Sequence, residues 1–405
     1  MTYLTFALCL GTLSLSIFQT QAMDWFPKIP RLFKSSSPTS LHEQDMAAIE
    51  ATYTRFSPAP LEINDDFSWG NLVEIPAKGE YSENLYGITG STLFRCGGDS
   101  STYSPSEDMT YHSLDGFHAV IKPGFFIAAG LGDGCGGHTD YYEDQAIAKI
   151  ASKAPKLINE QIIKTLYQPY FIKQSPIKLK DRTPEKLINI TNDSLKAAFT
   201  DTGTTLINEE GYNKISPTTT LVSFIAFPYF DKEQQKYYYQ LTGFNFGDSA
   251  ALLYSHGTQK IQTLSPGMHR GGGVPVYPQL NEESKEKEYR SFNYKALPKD
   301  VVFLCSDGIT DNLPQESWSE NDSTIFHLND EEVTQAFTSF LEEKQLDIEY
   351  QSARSIGCLF SEYALRMDDK QRRLKFNQRD ATLQPNFKHG DDFTLLAIEL
   401  PNIKE

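Results

Sequence analysis

Val301-Val302-Phe303-Leu304-Cys305-Ser306-Asp307-Gly308-Ile309-Thr310-Asp311-Asn312 is an apolar run that stops on a carboxylate. Five apolar residues without polar interruption read as a short strand buried on both faces, and Asp-Gly after it marks a turn. The same pattern recurs along the chain. Gly130-Leu131-Gly132-Asp133-Gly134-Cys135-Gly136-Gly137 closes a strand pair over Phe117 to Ile121 and Phe125 to Ala129, and Glu107-Asp108 precedes that pair. His389-Gly390-Asp391-Asp392 leads into a last strand, Phe393 to Leu400. A single Asp-Gly needs no function beyond its turn. Four carboxylate-bearing strand ends converging at one edge of a sheet would repel one another strongly unless cations lay between them.

Further short runs of β-branched and aromatic residues predict strands over Thr218 to Phe227, Tyr237 to Phe246 and Ala250 to Tyr254. Helical periodicity falls in separate blocks, Glu143 to Leu166, Pro184 to Phe199, Asn329 to Leu346 and Ile348 to Arg366. Strand clusters apart from helix blocks indicate α+β layering and not a parallel βαβ sheet. The stretch Asn281 to Lys299 is charged and aperiodic, which reads as a solvated loop. No GxGxxG, P-loop or internal repeat is present.

The 405 residues carry 37 Lys+Arg against 53 Asp+Glu, a net charge of −16, which disfavours nucleic-acid or anionic-lipid partners. With 39% hydrophobic and 22% charged residues the chain can bury a sizeable core, so global disorder is excluded. The cysteines, Cys9, Cys96, Cys135, Cys305 and Cys358, form no CxxC pair, and no His/Cys motif has zinc-ligand spacing. Oxygen-only donors select hard cations such as Mg²⁺ or Mn²⁺.

Residues 4 to 18 form an apolar run of signal-peptide length followed by Thr20-Gln21-Ala22, although no Lys or Arg precedes Lys28. The expectation is an exported or secreted chain, with a cytoplasmic or organellar one as the alternative, and no stable membrane insertion because the run is short. Residues 23 to 61, with five prolines and Ser35-Ser36-Ser37, read as a tether holding one short helix near His42 to Tyr53. Residues 62 to 405 then form a single domain.

In order and spelling these motifs resemble the metal-dependent type 2C Ser/Thr protein phosphatases. The resemblance runs through Ser106-Glu107-Asp108, Gly132 to Gly137, Thr218-Thr219-Thr220, Asn245-Phe246-Gly247-Asp248-Ser249, Ser306 to Pro314 and Gly390-Asp391-Asp392-Phe393-Thr394. It covers roughly residues 85 to 400 and is closest to the branch that includes mitochondrial members. It implies a four-layer α/β/β/α sandwich, two antiparallel β-sheets flanked by helix pairs, with a binuclear Mg²⁺/Mn²⁺ centre at one edge. Asp133 would bridge both ions, Asp108 and the Gly134 carbonyl would complete one, and Asp307 and Asp391 would hold the other. Asp311 matches a residue that can contribute to a third, weaker ion, and Glu107 would orient bound water from behind the ligands. Asp248 reads as a residue that ties a strand turn together.

The implied activity is hydrolysis of phosphoserine and phosphothreonine in proteins by a metal-activated water, with a phosphorylated protein as substrate and a monomeric enzyme. Cys135 stands where many relatives have a histidine, and Tyr103 where many have an arginine, so the general acid and the phosphate-gripping residue are not assigned. Neither Cys135 nor Cys305 is followed by Arg at the spacing of a cysteine-based phosphatase loop. Alternatives are a metal-binding but catalytically silent regulator of the same fold and an exported cation-binding protein without phosphate chemistry. Retention of Asp108, Asp133, Asp307 and Asp391 favours the enzyme.

Because the motif-bearing region starts tens of residues after the apolar segment, a chain beginning at Asp24 should be soluble and as active per mole as the full one. Phosphatase assay of the two side by side checks this, and loss of activity on removal would place the segment in the core.

Overall fold

The computed structural model describes residues 54–56, 72–75, 81–90, 115–122, 124–135, 153–161, 182–208, 218–265, 267–269, 289–320, 323–344, 352–376 and 392–403. Two antiparallel sheets dominate. The first runs in the spatial order β1 (Thr54–Phe56), β4 (Gly116–Lys122), β5 (Phe126–Gly132), β8 (Leu221–Asp231), β9 (Lys236–Phe246) and β13 (Tyr289–Ala296). The second runs β11 (Lys260–Ser265), β10 (Ala250–Ser255), β14 (Val301–Cys305), β17 (Leu395–Glu399), β3 (Leu85–Gly90) and β2 (Leu72–Ile75). Two smaller pairings sit beside them: β6 (Gly134–Cys135) with β7 (Thr218–Thr219), and a three-stranded sheet of β12 (Gly267–His269), β16 (Ser323–Leu328) and β15 (Gln315–Glu320).

The central strands of the second sheet are apolar throughout because both of their faces are covered. Val302 and Leu304 of β14, Ala251 and Leu253 of β10 and Leu396 and Ile398 of β17 meet Phe117, Ile127, Phe224 and Leu241 of the first sheet in one buried layer. The alternate residues, Val301, Phe303 and Cys305, Leu252 and Tyr254, and Leu395 and Ala397, face a second layer closed by two helices. The side-chain period of two thus feeds two cores from one strand.

On the outer face of the first sheet lie α1 (153–161) and α2 (Pro184–Asn208). Gly130 of β5 admits α1: a Cβ there would sit 3.3 Å from Pro155 Cβ. Asn159 of α1 donates to the His118 carbonyl at 3.0 Å. α2 packs on β8 and β9 and begins at Pro184, whose fixed φ suits a first helical position. After the single helical turn α3 (Asp307–Thr310), α4 (Asp330–Glu343) and α5 (Ala353–Phe376) close the other side. Asn329 caps α4 by accepting from Glu332 N at 3.2 Å, and Asp330, Glu331 and Glu332 follow in its first turn, the favourable place for negative charge. The α/β/β/α sandwich expected from the motifs is therefore the fold.

Three details differ from the sequence reading. Residues 54–56 lie within the stretch read as a tether but pair with Ala119 to Ile121, so the folded unit starts earlier than residue 62; the short helix placed near His42 to Tyr53 lies outside the described residues. Within the supposed loop 281–299, residues 289–296 are an edge strand paired with β9. Phe292 and Ala296 point inward while Ser291, Asn293 and Lys295 are exposed, and the charged outer face masks the alternation. The polar hairpin β15–β16 is likewise not legible from hydrophobic pattern. Among the described residues no helix is long and apolar enough to cross a membrane.

Phe360 of α5 stacks on Phe303 at 4.6 Å between ring centroids and 7° between planes, and meets Phe337 of α4 edge-on at 5.4 Å. Phe360→Ala should therefore cost about 3–5 kcal/mol of unfolding free energy, measured by urea denaturation. A loss below about 1 kcal/mol would mean that the helices do not rest on this ring.

Candidate metal centre

β5 ends on Gly132, and the chain turns at Asp133 into the two-residue strand β6. The backbone of Asp133 is fixed by the β7–β8 junction. Thr220 N donates to the Asp133 carbonyl at 2.8 Å and the Thr219 hydroxyl donates to the same oxygen at 2.9 Å. Asp133 N in turn donates to Thr220 Oγ1 at 3.2 Å. Thr220 Oγ1 also lies 2.6 Å from Ser249 Oγ, which brings in the turn between β9 and β10. That turn is tight. Gly247 has φ of +90°, a conformation that favours glycine, and a Cβ there would meet Thr220 Cγ2 at 2.7 Å. Asn245 Nδ2 donates across the turn to the Ser249 carbonyl.

Asp307 comes from the neighbouring strand end. Ser306 locks the end of β14 to the last strand, Thr394 N donating to its Oγ at 2.9 Å and Ser306 N donating to the Thr394 carbonyl at 3.0 Å. Asp307 N then lies 3.5 Å from Asp133 Oδ2.

The result is a triad. Carboxylate oxygens of Asp133, Asp248 and Asp307 lie within 4.8 Å of one another. Asp133 is 8% and Asp307 4% exposed, and Asp248 is half-buried. Two like charges at that spacing repel by about 3 kcal/mol at the effective dielectric of such a site. A divalent cation among them reverses the sign, and three oxygen donors without a nitrogen or sulfur suit a hard ion. The donor set fits Mg²⁺ or Mn²⁺.

Of the residues singled out in the sequence, Asp133 and Asp307 come together, and Gly134 follows Asp133 in β6. Asp248, read there as a turn residue only, joins them as a third carboxylate. The signal was present: Asp248 also stands just beyond a long strand, as Asp133 and Asp307 do. Asp311 is buried, and its Oδ1 accepts from Gln315 Nε2 at 3.3 Å; it is not part of the triad. Glu107, Asp108 and Asp391 lie outside the described residues, as does Tyr103. Asp392 is buried, and its carbonyl accepts from Ser306 Oγ at 3.3 Å. Cys305 is fully buried in the outer core, and burial pushes its thiol far above the ordinary range, so it is a packing residue and not a nucleophile.

No family model matches the chain, and no curated protein does. Among solved structures it is similar to the Mycobacterium tuberculosis serine/threonine phosphatase PstP/Ppp, at 15% identity over 78% of this chain and 99% of that one, with a TM-score of 0.37. A serine-threonine phosphatase 2C from Toxoplasma gondii is 12% identical over 81% of this chain and 99% of that one, with a TM-score of 0.44. The catalytic domain of PstP solved with two manganese ions is 14% identical over 78% and 99%, with a TM-score of 0.37. Likeness at this level does not speak to chemistry, which rests on the side chains.

Without cation the triad is a store of repulsion. Asp248→Asn should therefore raise the melting temperature in EDTA while shrinking the upward shift that Mn²⁺ produces. Differential scanning fluorimetry with and without Mn²⁺ reads both, and a lower melting temperature in EDTA combined with an undiminished Mn²⁺ shift would contradict the triad.

Proposed function

We propose that the chain is a divalent-cation-dependent hydrolase of phosphoserine and phosphothreonine in proteins, using a binuclear Mg²⁺ or Mn²⁺ centre and a third, weaker ion. The observation that carries this is the largely buried triad of Asp133, Asp248 and Asp307, each of which belongs to one of the ordered motifs that resemble type 2C phosphatases. Asp133 and Asp307 hold the main ions together with Asp108, Asp391 and the Gly134 carbonyl, Glu107 orients water, and Asp248 serves the third ion. Such ions, when bound, neutralise charge on the transferring phosphoryl group and acidify a water for in-line attack.

The chain's own residues do the positioning. Thr219 and Thr220 hold the Asp133 backbone through three hydrogen bonds, which fixes the point from which its carboxylate projects toward Asp307. Ser306, tied to Thr394 at both its backbone and its hydroxyl, does the same for Asp307. Burial of these carboxylates limits their contact with water, which strengthens every charge interaction within the site. Because the acids act by holding cations, no protein nucleophile is required, in keeping with a buried Cys305. The apolar N-terminal run supports export of the chain, and a monomer suffices for the chemistry.

The test is turnover of p-nitrophenyl phosphate and of a phosphothreonine peptide with Mn²⁺, with Mg²⁺ and in EDTA. Activity should require the cation, and Asp133→Asn and Asp307→Asn should each lose more than about 10²-fold in rate with circular dichroism unchanged. Full turnover in EDTA, or a near-normal rate in either variant, would refute the proposal.

A further inference from the structure

The three-stranded sheet β12–β16–β15 stands apart from the two main sheets, yet both of its edge strands begin beside the turns of the acidic triad. Gly267, the first residue of β12, lies against the backbone of Asp248. A Cβ at position 267 would sit 2.5 Å from the Asp248 carbonyl oxygen and 3.2 Å from its Cα, distances that no side chain tolerates. On the other edge Gln315, the first residue of β15, donates from Nε2 to the Thr310 carbonyl at 2.5 Å and to Asp311 Oδ1 at 3.3 Å. Thr310 and Asp311 close the helical turn that Asp307 opens. Between these anchors Gly267 pairs with Phe326, and Gln315 with Leu328 of the same strand β16. The small sheet thus touches the turn of Asp307 with one edge strand and the turn of Asp248 with the other.

The Asp248 turn is gripped from its opposite side as well. Gly247 leaves no room beside Thr220 Cγ2, and Thr220 is the residue that holds Asp133. Asp248 therefore sits in a vice: Thr220 on one side fixes its relation to Asp133, and β12 on the other fixes its relation to Asp307. Asp133 and Asp307 are set by the ends of β5 and β14, strands of the main sheets. The small sheet meets the backbone of Asp248 itself, and it meets the turn of Asp307 further along, at Thr310 and Asp311.

We propose that Gly267 is a positioning residue for Asp248, and that the β12–β16–β15 sheet tunes the cation affinity of the triad through it. This rests on the reading of the triad as a cation site. Bulk at position 267 displaces the Asp248 backbone, moves its carboxylate away from the other two, and weakens the part of cation binding to which Asp248 contributes. The sheet is consequently a lever on cation affinity that leaves the strands bearing Asp133 and Asp307 untouched.

Isothermal titration of Mn²⁺ into the full chain tests this with four proteins: wild type, Gly267→Ala, Asp248→Asn and the double variant. Gly267→Ala should weaken Mn²⁺ binding by about 10- to 100-fold, the usual cost of losing a supporting contact behind a ligand. In the Asp248→Asn background the same substitution should change nothing further, because its route of action is already gone. Unaltered affinity in Gly267→Ala, or equal losses in both backgrounds, would overturn the inference while leaving the cation site standing. No Mn²⁺ binding by the wild type would overturn both. Should Gly267→Ala fail to fold, Ile325→Pro, which breaks the small sheet opposite Met268, carries the same expectation, and wild-type affinity in that variant would overturn the proposal.

Discussion

Three carboxylates held within 4.8 Å of one another, in a largely buried site, are the constraint around which this molecule is arranged. Left to themselves the groups would part, since each pair repels and water is largely excluded. The fold holds them there with backbone anchors. Asp133 is tied to Thr219 and Thr220, Thr220 reaches Ser249 beside Asp248, and Asp307 follows a serine bonded twice to Thr394.

Rigidity of this kind needs a stiff support, and the doubly covered second sheet supplies it. β14 contributes Val302 and Leu304 to the layer between the sheets, and Val301, Phe303 and Cys305 to the layer beneath α4 and α5. Its C-terminal end, from which Asp307 projects, is thereby clamped from above and below. Close packing in both layers means that a strand end cannot shift without disturbing a core. The sandwich therefore acts as the frame, and the chemistry is confined to the turns at one edge of it.

Much of this was legible from the chain. β14, β10 and β17 announce themselves because burial on both faces leaves continuous apolar runs, and α4 and α5 because their apolar positions recur at helical spacing. The edge strand β13 was not legible, since Ser291, Asn293 and Lys295 face solvent and dilute the inward signal of Phe292 and Ala296. The hairpin β15–β16 was not legible because its stretch carries no clear alternation of apolar and polar residues. In the site, Asp133 and Asp307 were found from the strand-then-carboxylate pattern. Asp248 obeyed the same pattern but had a sufficient local explanation in its Gly-Asp-Ser turn. Its proximity to the other two arises from Thr220 and Gly267, contacts between segments that no local reading can see. Asp311, which the resemblance gives to a third ion, accepts from Gln315 through its Oδ1.

The central claim is that these acids converge in order to hold a divalent cation, and anomalous diffraction at the manganese edge from crystals of the chain soaked in Mn²⁺ tests it most directly. The account predicts anomalous peaks at metal–oxygen distance from the carboxylates of Asp133 and Asp307, with Asp248 contacting one of the ions directly or through a water. Density showing the three carboxylates paired with protein cations or splayed apart, with no anomalous peak between them, would contradict it.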